Sequence, residues 1–136
     1  MKINKIAIIG LGYVGLPLAV SLCKSFKVLG FDINKKRIRE LRSGKDSTNE
    51  VSSVNLKMSM SRNLEITSEE DGLSNCNIYI ITVPTPVTKS NKPDFSYLRN
   101  SCKMIGSRMK KHSIIIFEST VYPGATQDIC GKEIQI

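Results

Sequence analysis

Three closely spaced glycines near the N-terminus constrain the fold of this chain more than any other feature. Gly10, Gly12 and Gly15 form the pattern G-x-G-x-x-G. The pattern alone is weak, because three glycines in six residues also occur in ordinary turns. Here it directly follows the apolar run 6–9 and opens a segment whose apolar residues have helical spacing. This strand–turn–helix context predicts the phosphate-binding turn of a dinucleotide-binding βαβ unit.

Each glycine of the pattern has its own physical reason. Gly10 permits the tight turn, Gly12 lets the backbone approach a pyrophosphate, and Gly15 allows the helix to pack closely against the strand. The unpaired N–H groups at the helix start, together with the helix dipole, then hold the phosphates. Asp32 ends the second apolar run about 20 residues after Gly10, the spacing at which a carboxylate meets the adenosine ribose hydroxyls.

Apolar runs alternate with helical patterns along the rest of the chain. The runs predict strands at 6–9, 27–32, 64–67, 78–83 and 114–117, of which 64–67 is the weakest and the other four suit burial on both faces. The apolar residues that mark helices are Val14, Leu18, Leu22 and Phe26; Ile38 and Leu41; and, after Asp94 as a cap, Tyr97, Leu98, Cys102, Ile105 and Met109. Segment 43–62 is expected to be a loop with a short helix. We therefore predict a single α/β domain over 1–136, with a Rossmann-type doubly wound parallel sheet.

The charge distribution favours an anionic ligand. The net charge is +8, and six of the 20 Lys and Arg residues fall within 35–45, directly after Asp32. A carboxylate at Asp32 would repel a 2′-phosphate, which favours NAD over NADP, although Lys35, Lys36 and Arg37 would blunt the repulsion. Arg37 is the cation expected to reach the nucleotide, while most of the others form a solvated helix face. Aromatic residues make up only 6% of the chain, so nucleic-acid binding is the weakest alternative.

Other features are typical of a cytoplasmic protein. The uncharged stretch 6–23 resembles a signal peptide, but its glycines and Pro17 would break an apolar signal helix or a membrane span. His112, the single histidine, is expected in a surface loop rather than as a catalytic base. The four cysteines lack the CxxC spacing of a zinc or redox site and are expected to be buried free thiols; they are Cys23, Cys76, Cys102 and Cys130.

Two unusual loops follow predicted strands, at the edge where open α/β sheets bind ligands. The rigid loop 84–86 has the sequence Pro-Thr-Pro and carries a single hydroxyl, that of Thr85. The segment 118–124 is rich in hydroxyls and ends in a Pro-Gly turn. From the pattern alone, both loops are as consistent with simple strand terminators as with binding loops.

The motifs together resemble those of the UDP-glucose/GDP-mannose dehydrogenase family. They are GLGYVGLPLA (10–19), FDIN (31–34), VPTP (83–86) and ESTVYPGAT (118–126), in matching order and spacing. The resemblance implies an NAD-dependent nucleotide-sugar 6-dehydrogenase. Such enzymes oxidise the C6 alcohol of a UDP-sugar to a carboxylate by two hydride transfers to NAD, through cysteine-bound intermediates. The context of Tyr122 resembles the branch that acts on UDP-N-acetylhexosamines.

The resemblance also implies roles for individual residues. Cofactor contacts are implied for Gly10, Gly12, Tyr13, Val14, Gly15, Asp32, Arg37, Thr85 and Thr120. Thr85 matches a residue near the ribose and nicotinamide side of the cofactor. Thr120 matches a threonine that contacts the cofactor and helps to hold a water near the reacting carbon, so it is the one residue here with an implied catalytic role.

Part of the family pattern has no counterpart in this sequence. The family's catalytic cysteine lies in a Gly-rich motif of a later domain, and none of the four cysteines here has that setting. We therefore expect a C-terminally truncated NAD-binding portion that binds NAD but does not oxidise a UDP-sugar alone. The alternative is a non-catalytic NAD-binding module that acts as a sensor or partner subunit. An incomplete sheet also predicts an open strand edge and a homo-oligomer, with neither nucleic acid nor membrane as a partner.

Overall fold

Five short strands form one parallel sheet. A computed structural model describes the chain over residues 1–118 and 126–134. The strands are β1 (Ile6–Ile9), β2 (Val28–Phe31), β3 (Leu64–Thr67), β4 (Ile78–Ile81) and β5 (Ile114–Phe117). Their order is β3-β2-β1-β4-β5, and every neighbouring pair is parallel. The predicted doubly wound sheet is therefore confirmed, and its strand order reverses beside β1, where such sheets bind ligands.

Helices cover both faces of the sheet. On one face, alternate side chains such as Ile8 and Ile80 pack against α1 (Gly15–Leu22), α2 (Lys35–Arg42) and α3 (Ser53–Arg62). On the other face, residues such as Ile9 and Tyr79 pack against three further elements. These are a 3₁₀ turn (Asp71–Asn75), α4 (Ser96–Gly106) and a C-terminal π-helical turn (Thr126–Gly131) that continues into α5 (Lys132–Ile134). The two layers bury β1, β2 and β4 completely.

Helix α1 turns a different face to the sheet than the sequence predicts. Val14 was expected on the apolar face but is 54% exposed, whereas Leu16 and Ala19 are fully buried. Leu18 contacts the same core only at its margin, as do Leu22 and Phe26. Gly15 is itself buried where α1 meets the glycine loop, with no room there for a Cβ, so the buried face of α1 begins at Gly15 and Leu16 rather than at Val14.

Strand β5 also departs from the prediction of burial on both faces. Ile114 is 43% exposed and Ile116 is 38% exposed, while Ile115 and Phe117 pack against the α4 side of the sheet. In the sheet that the described residues form, β5 is an edge strand. One of its faces therefore carries apolar side chains that no described element covers.

Several elements differ in bounds or length from the predicted ones. Strand β4 ends two residues before Val83. The segment expected to hold only a short helix contains the ten residues of α3, capped by the Ser52 hydroxyl, which accepts from the Asn55 amide over 3.2 Å. Asp94 lies one residue before the N-cap of α4, yet its carboxylate accepts from the Ser96 amide over 2.9 Å. That hydrogen bond lowers the pKa of Asp94.

Two predictions about isolated residues are confirmed. All four cysteines are buried and free. His112 is exposed in a turn with a φ of 68°.

Among residues 1–118 and 126–134, no helix combines the length and apolar character needed to cross a bilayer.

Candidate cofactor site

Residues that follow all five strands, with Glu70 after β3, line one cleft of about 860 Å³ at the carboxyl edge of the sheet. The glycine loop 10–14 follows β1, Asp32 and Ile33 follow β2, segment 82–85 follows β4, and Glu118 follows β5. A cleft of this size is typical of small-molecule sites. The fold therefore brings together the described motifs that the sequence singled out.

The three glycines of the loop lie in three different surroundings. Gly10 has a φ of 100°, in the left-handed region that favours glycine. A Cβ on Gly15 would overlap the carbonyl of Gly10 and come within 2.5 Å of the Thr82 hydroxyl. A Cβ on Gly12 would meet nothing within 4 Å. The space in front of Gly12 is thus a cradle that a side chain would fill, as the close approach of a pyrophosphate requires.

The start of α1 is open toward this cradle. The N-cap residue, Val14, makes no side-chain hydrogen bond to the helix. Within α1 the Leu16 amide donates to the Gly12 carbonyl over 3.2 Å and Pro17 has no N–H. The backbone amides of residues 12–15, together with the helix dipole, are therefore the groups that favour an anion here. Tyr13 is 67% exposed at the same end and also lines the cleft. The geometry therefore fits the diphosphate of a dinucleotide.

Asp32 connects the end of β2 to the glycine loop. Its Oδ2 accepts a hydrogen bond from the Leu11 amide over 2.9 Å, and its Oδ1 accepts one from the Asn34 amide over 2.9 Å. A carboxylate has about four lone-pair sites, so these two contacts leave capacity for two ribose hydroxyls. The carboxylate lines the cleft beside the glycine loop, as the spacing in the sequence predicts.

Arg37 is held by the protein more tightly than a free cation on a solvated helix. Its Nε donates to the Leu11 carbonyl over 2.9 Å, and its Nη1 donates to Glu40 over 3.2 Å. Its Nη2 lies 2.9 Å from Asp46 Oδ1, an ion-pair distance, but is not aligned for a hydrogen bond with any described group. Arg37 is nevertheless part of the cleft wall. Because Nη2 is already paired with the buried Asp46 carboxylate, Arg37 is held at the cleft wall by contacts within the protein.

Asp46 is the partner of Arg37 that sequence analysis missed. Its side chain is 0% exposed. It accepts hydrogen bonds from the Thr48 hydroxyl and from the amides of Thr48, Glu50 and Val51, over 2.7–3.0 Å. Burial raises the pKa of Asp46, but the hydrogen bonds from Thr48 and Val51 and the guanidinium of Arg37 outweigh it and lower the pKa to about 2. In the loop after α2, the buried Asp46 carboxylate is therefore ionised at neutral pH and forms an ion pair with Arg37.

Thr82 is a second residue that sequence analysis missed. Its hydroxyl donates to the carbonyls of Gly10, over 2.7 Å, and Ile9, over 3.0 Å. These contacts fix the turn after β1 to the end of β4. Thr82 lies only three residues before Thr85, but nothing in the local pattern distinguishes it from an ordinary strand residue.

The hydroxyl-bearing loops are partly described. Thr85 lines the cleft, and its Oγ1 is buried without a hydrogen-bond partner in the described part of the chain. A buried hydroxyl of this kind is expected to have a partner, which a bound ligand would supply. Glu118 also lines the cleft. Thr120, for which the resemblance implies a catalytic role, lies outside the described residues.

The four cysteines do not contribute to the cleft wall as described. Burial raises the pKa of Cys76 to about 11, an effect that Lys5 opposes and Glu65 reinforces. Burial also raises the pKa values of Cys102 and Cys130. Within residues 1–118 and 126–134, no cluster of His, Cys, Asp and Glu side chains could hold a metal ion.

Comparison with known families decides the identity of this site. Residues 4–135 match the model of the UDP-glucose/GDP-mannose dehydrogenase family, NAD binding domain. The chain belongs to this family. The glycine loop, the cradle at Gly12 and the carboxylate of Asp32 are thus parts of an NAD-binding domain, and NAD is its cofactor.

Relatives in sequence and structure agree with this assignment. The chain is 50% identical over 130 residues to a UDP-N-acetyl-D-glucosamine 6-dehydrogenase of Pseudomonas aeruginosa. This match covers 96% of this chain and 30% of that protein. It superposes on a UDP-D-ManNAc dehydrogenase of Pyrococcus horikoshii with a TM-score of 0.88 and 31% identity, over 97% of this chain and 33% of the other. A GDP-mannose dehydrogenase of Pseudomonas aeruginosa gives a TM-score of 0.88 at 26% identity, over 96% of this chain and 31% of the other. The chain therefore spans about a third of the length of these relatives.

Proposed function

We propose that this chain binds NAD for an enzyme that oxidises the C6 alcohol of a UDP-N-acetylhexosamine to a carboxylate. Two successive hydride transfers to NAD, with water as the source of the second oxygen, account for the change in oxidation state. The relatives named for UDP-N-acetyl-D-glucosamine and UDP-N-acetyl-D-mannosamine support this substrate class. NAD supplies the hydride acceptor when it is bound.

The open space in front of Gly12 is the observation that carries the proposal. Gly15 of the same loop packs against the backbone and the Thr82 hydroxyl. At Gly12, by contrast, no atom lies within 4 Å of the position that a Cβ would take, so this glycine faces open space. A pyrophosphate seated there accepts hydrogen bonds from the backbone amides at the start of α1. The glycine loop would hold this group through Gly10, Gly12, Tyr13, Val14 and Gly15.

The two halves of the cofactor would lie on either side of this diphosphate. Asp32 accepts the adenosine ribose hydroxyls, and Arg37, fixed against Leu11 and Asp46, contacts the same nucleotide. Thr85 gives its buried hydroxyl to the ribose on the nicotinamide side. We propose that Thr120 contacts the cofactor and helps to hold a water near the reacting carbon.

We further propose that the chain alone does not oxidise a sugar. Covalent oxidation of an alcohol to a carboxylate needs an accessible thiolate, because the thiol itself is a poor nucleophile. All four cysteines of the chain are buried, and burial raises the pKa of three of them. We place the protein in the cytoplasm, as a homo-oligomer.

A titration and an activity assay test the proposal. Isothermal titration calorimetry of the chain with NAD measures cofactor binding directly. Absorbance at 340 nm, with NAD and UDP-N-acetyl-D-glucosamine present, measures turnover. We expect saturable NAD binding without NADH formation. A chain that binds no NAD would contradict the proposed cofactor role, and a chain that produces NADH would contradict the proposed lack of a nucleophile.

A further inference from the structure

The cleft extends beyond Asp32 toward strand β3. Since β3 is the neighbour of β2 in the sheet, residues that follow β3 lie next to the ribose-binding end of the site. Glu70 follows β3 and lines the same cleft as Asp32. An adenosine whose ribose is bound by Asp32 would extend its base toward this neighbouring loop.

Apolar side chains also line this cleft. Ile33, directly after Asp32, is 77% exposed. Tyr97 of α4, which is 47% exposed, and Met104 line the same cleft. An exposed aliphatic side chain beside a ribose-binding carboxylate is the type of wall that a flat purine ring packs against.

Glu70 adds a fixed acceptor to this apolar surface. Arg108, two residues past the end of α4, places Nη2 2.7 Å from Glu70 Oε2. The ion pair restrains the carboxylate, and an ionised carboxylate only accepts hydrogen bonds. Adenine presents an amino group at its six position, whereas hypoxanthine and guanine present a carbonyl oxygen there. At the six position itself, a carboxylate can therefore accept a hydrogen bond from adenine but meets only a carbonyl lone pair on the other two bases, whose nearest donor is the neighbouring N1–H.

We propose that Glu70 selects the base of the cofactor by accepting a hydrogen bond from the six-amino group of adenine. Ile33 and Tyr97 contact the ring, and Arg108 is a positioning residue that orients the carboxylate. This inference rests on the proposed NAD-binding function and adds a base-specific contact to it.

The test compares NAD with nicotinamide hypoxanthine dinucleotide, which differs only in the six position of the purine and the resulting N1 proton. We expect the wild-type chain to bind NAD roughly tenfold more tightly, as the loss of one charge-assisted hydrogen bond implies. In E70A the two cofactors should bind with about equal affinity, because the carboxylate that accepts the hydrogen bond from adenine is absent. In E70Q the side-chain amide can donate to the carbonyl oxygen, so the hypoxanthine cofactor should bind at least as well as NAD. The matched control is E69Q, since Glu69 is exposed and does not line the cleft; it should keep the wild-type preference.

Each result decides between defined alternatives. Equal affinity of the wild-type chain for both cofactors overturns the role of Glu70 while leaving NAD binding intact. A tenfold preference that survives in E70A and E70Q overturns it as well. If the wild-type chain binds neither cofactor, the proposed function fails together with this inference. Thermal unfolding of each variant shows whether it is folded. If E70Q does not fold, the comparison of E70A with wild type still tests the role of Glu70.

Discussion

The Leu11 amide donates a hydrogen bond to the Asp32 carboxylate over 2.9 Å. On the other side of the same residue, the Leu11 carbonyl accepts one from Arg37 Nε, also over 2.9 Å. The backbone of the glycine loop is thus fixed by the two side chains that we assign to the adenosine half of the cofactor. A change at either side chain therefore alters both the nucleotide contact and the loop that would hold the diphosphate.

Gly12 and Gly15 form a matched pair for separating binding from folding. Gly12→Ala should leave the thermal unfolding midpoint close to wild type, because the added methyl group enters open space. The same methyl group occupies the cradle, so NAD affinity should fall by roughly tenfold or more. Gly15→Ala should instead lower stability by several kcal/mol, on the order of an overpacked core, because its Cβ overlaps the Gly10 carbonyl.

Calorimetric NAD titration and thermal unfolding of both variants measure these effects. The two variants make the same chemical change three residues apart, so each is the control for the other. Wild-type NAD affinity in Gly12→Ala would show that the diphosphate does not lie against Gly12.

Asp46→Asn should reduce the free energy of unfolding at pH 7 by about 2 kcal/mol. The carboxyl has a pKa of about 2 in the folded chain, against an ordinary value of 3.8. A group with a lowered folded-state pKa contributes stability above its unfolded pKa, and that contribution is lost as pH falls through the folded pKa. The difference between wild type and variant should therefore be full above about pH 5 and shrink progressively toward pH 2.

Urea unfolding at a series of pH values provides this measurement. Asp71→Asn removes an exposed carboxylate and serves as the control, with an expected change in unfolding free energy of less than about 0.5 kcal/mol. A stability difference for Asp46→Asn that stays constant from pH 7 to pH 2 would contradict the assignment of a charged Asp46 beside Arg37.

Thr82→Val should destabilise the chain by about 1–2 kcal/mol, because the Gly10 carbonyl loses the hydroxyl that now lies 2.7 Å away. Valine keeps the shape of threonine, so packing is nearly conserved. Thr82→Ser retains the hydroxyl and should recover most of the loss. Chemical denaturation of the three proteins tests this, and a Thr82→Val variant as stable as wild type, or less destabilised than Thr82→Ser, would contradict the role of the hydroxyl.

The chain should self-associate through the uncovered face of β5. Ile114 and Ile116 present apolar surface there, and their strand lies at an edge of the described sheet. Sedimentation velocity at increasing concentration should show a dimer or larger species, and replacing both residues by threonine should shift the population toward monomer. Val54→Thr, on the exposed side of α3, is the control. A wild-type monomer at all concentrations would rule out this association.

Local sequence was sufficient to predict the sheet and the main features of the site. The strands coincide with apolar runs, because a parallel sheet covered by helices needs continuous apolar residues. The positions of the glycine loop and Asp32 were also predictable, since Gly10 and Gly15 meet backbone constraints that favour a residue without a side chain, and the acidic residue follows at a fixed spacing.

Long-range contacts account for what the sequence did not predict. Asp46 looked like an ordinary polar loop residue, and its burial depends on Arg37, which reaches it from α2. Thr82 is important only because β4 lies beside β1 and brings its hydroxyl to Gly10. The prediction for α1 differs from the structure because periodicity counts only apolar side chains, whereas Gly15, which has none, lies in the contact with the glycine loop.

Calorimetric titration of NAD and NADP against the wild-type chain and Asp32→Ala tests the central claim most directly. We predict that the wild-type chain binds NAD more tightly than NADP, because the Asp32 carboxylate accepts the ribose hydroxyls and repels a 2′-phosphate. Asp32→Ala should weaken NAD binding and erase most of the preference. Equal affinity of the wild-type chain for both cofactors, unchanged by the substitution, would contradict the assignment of Asp32 to the adenosine ribose.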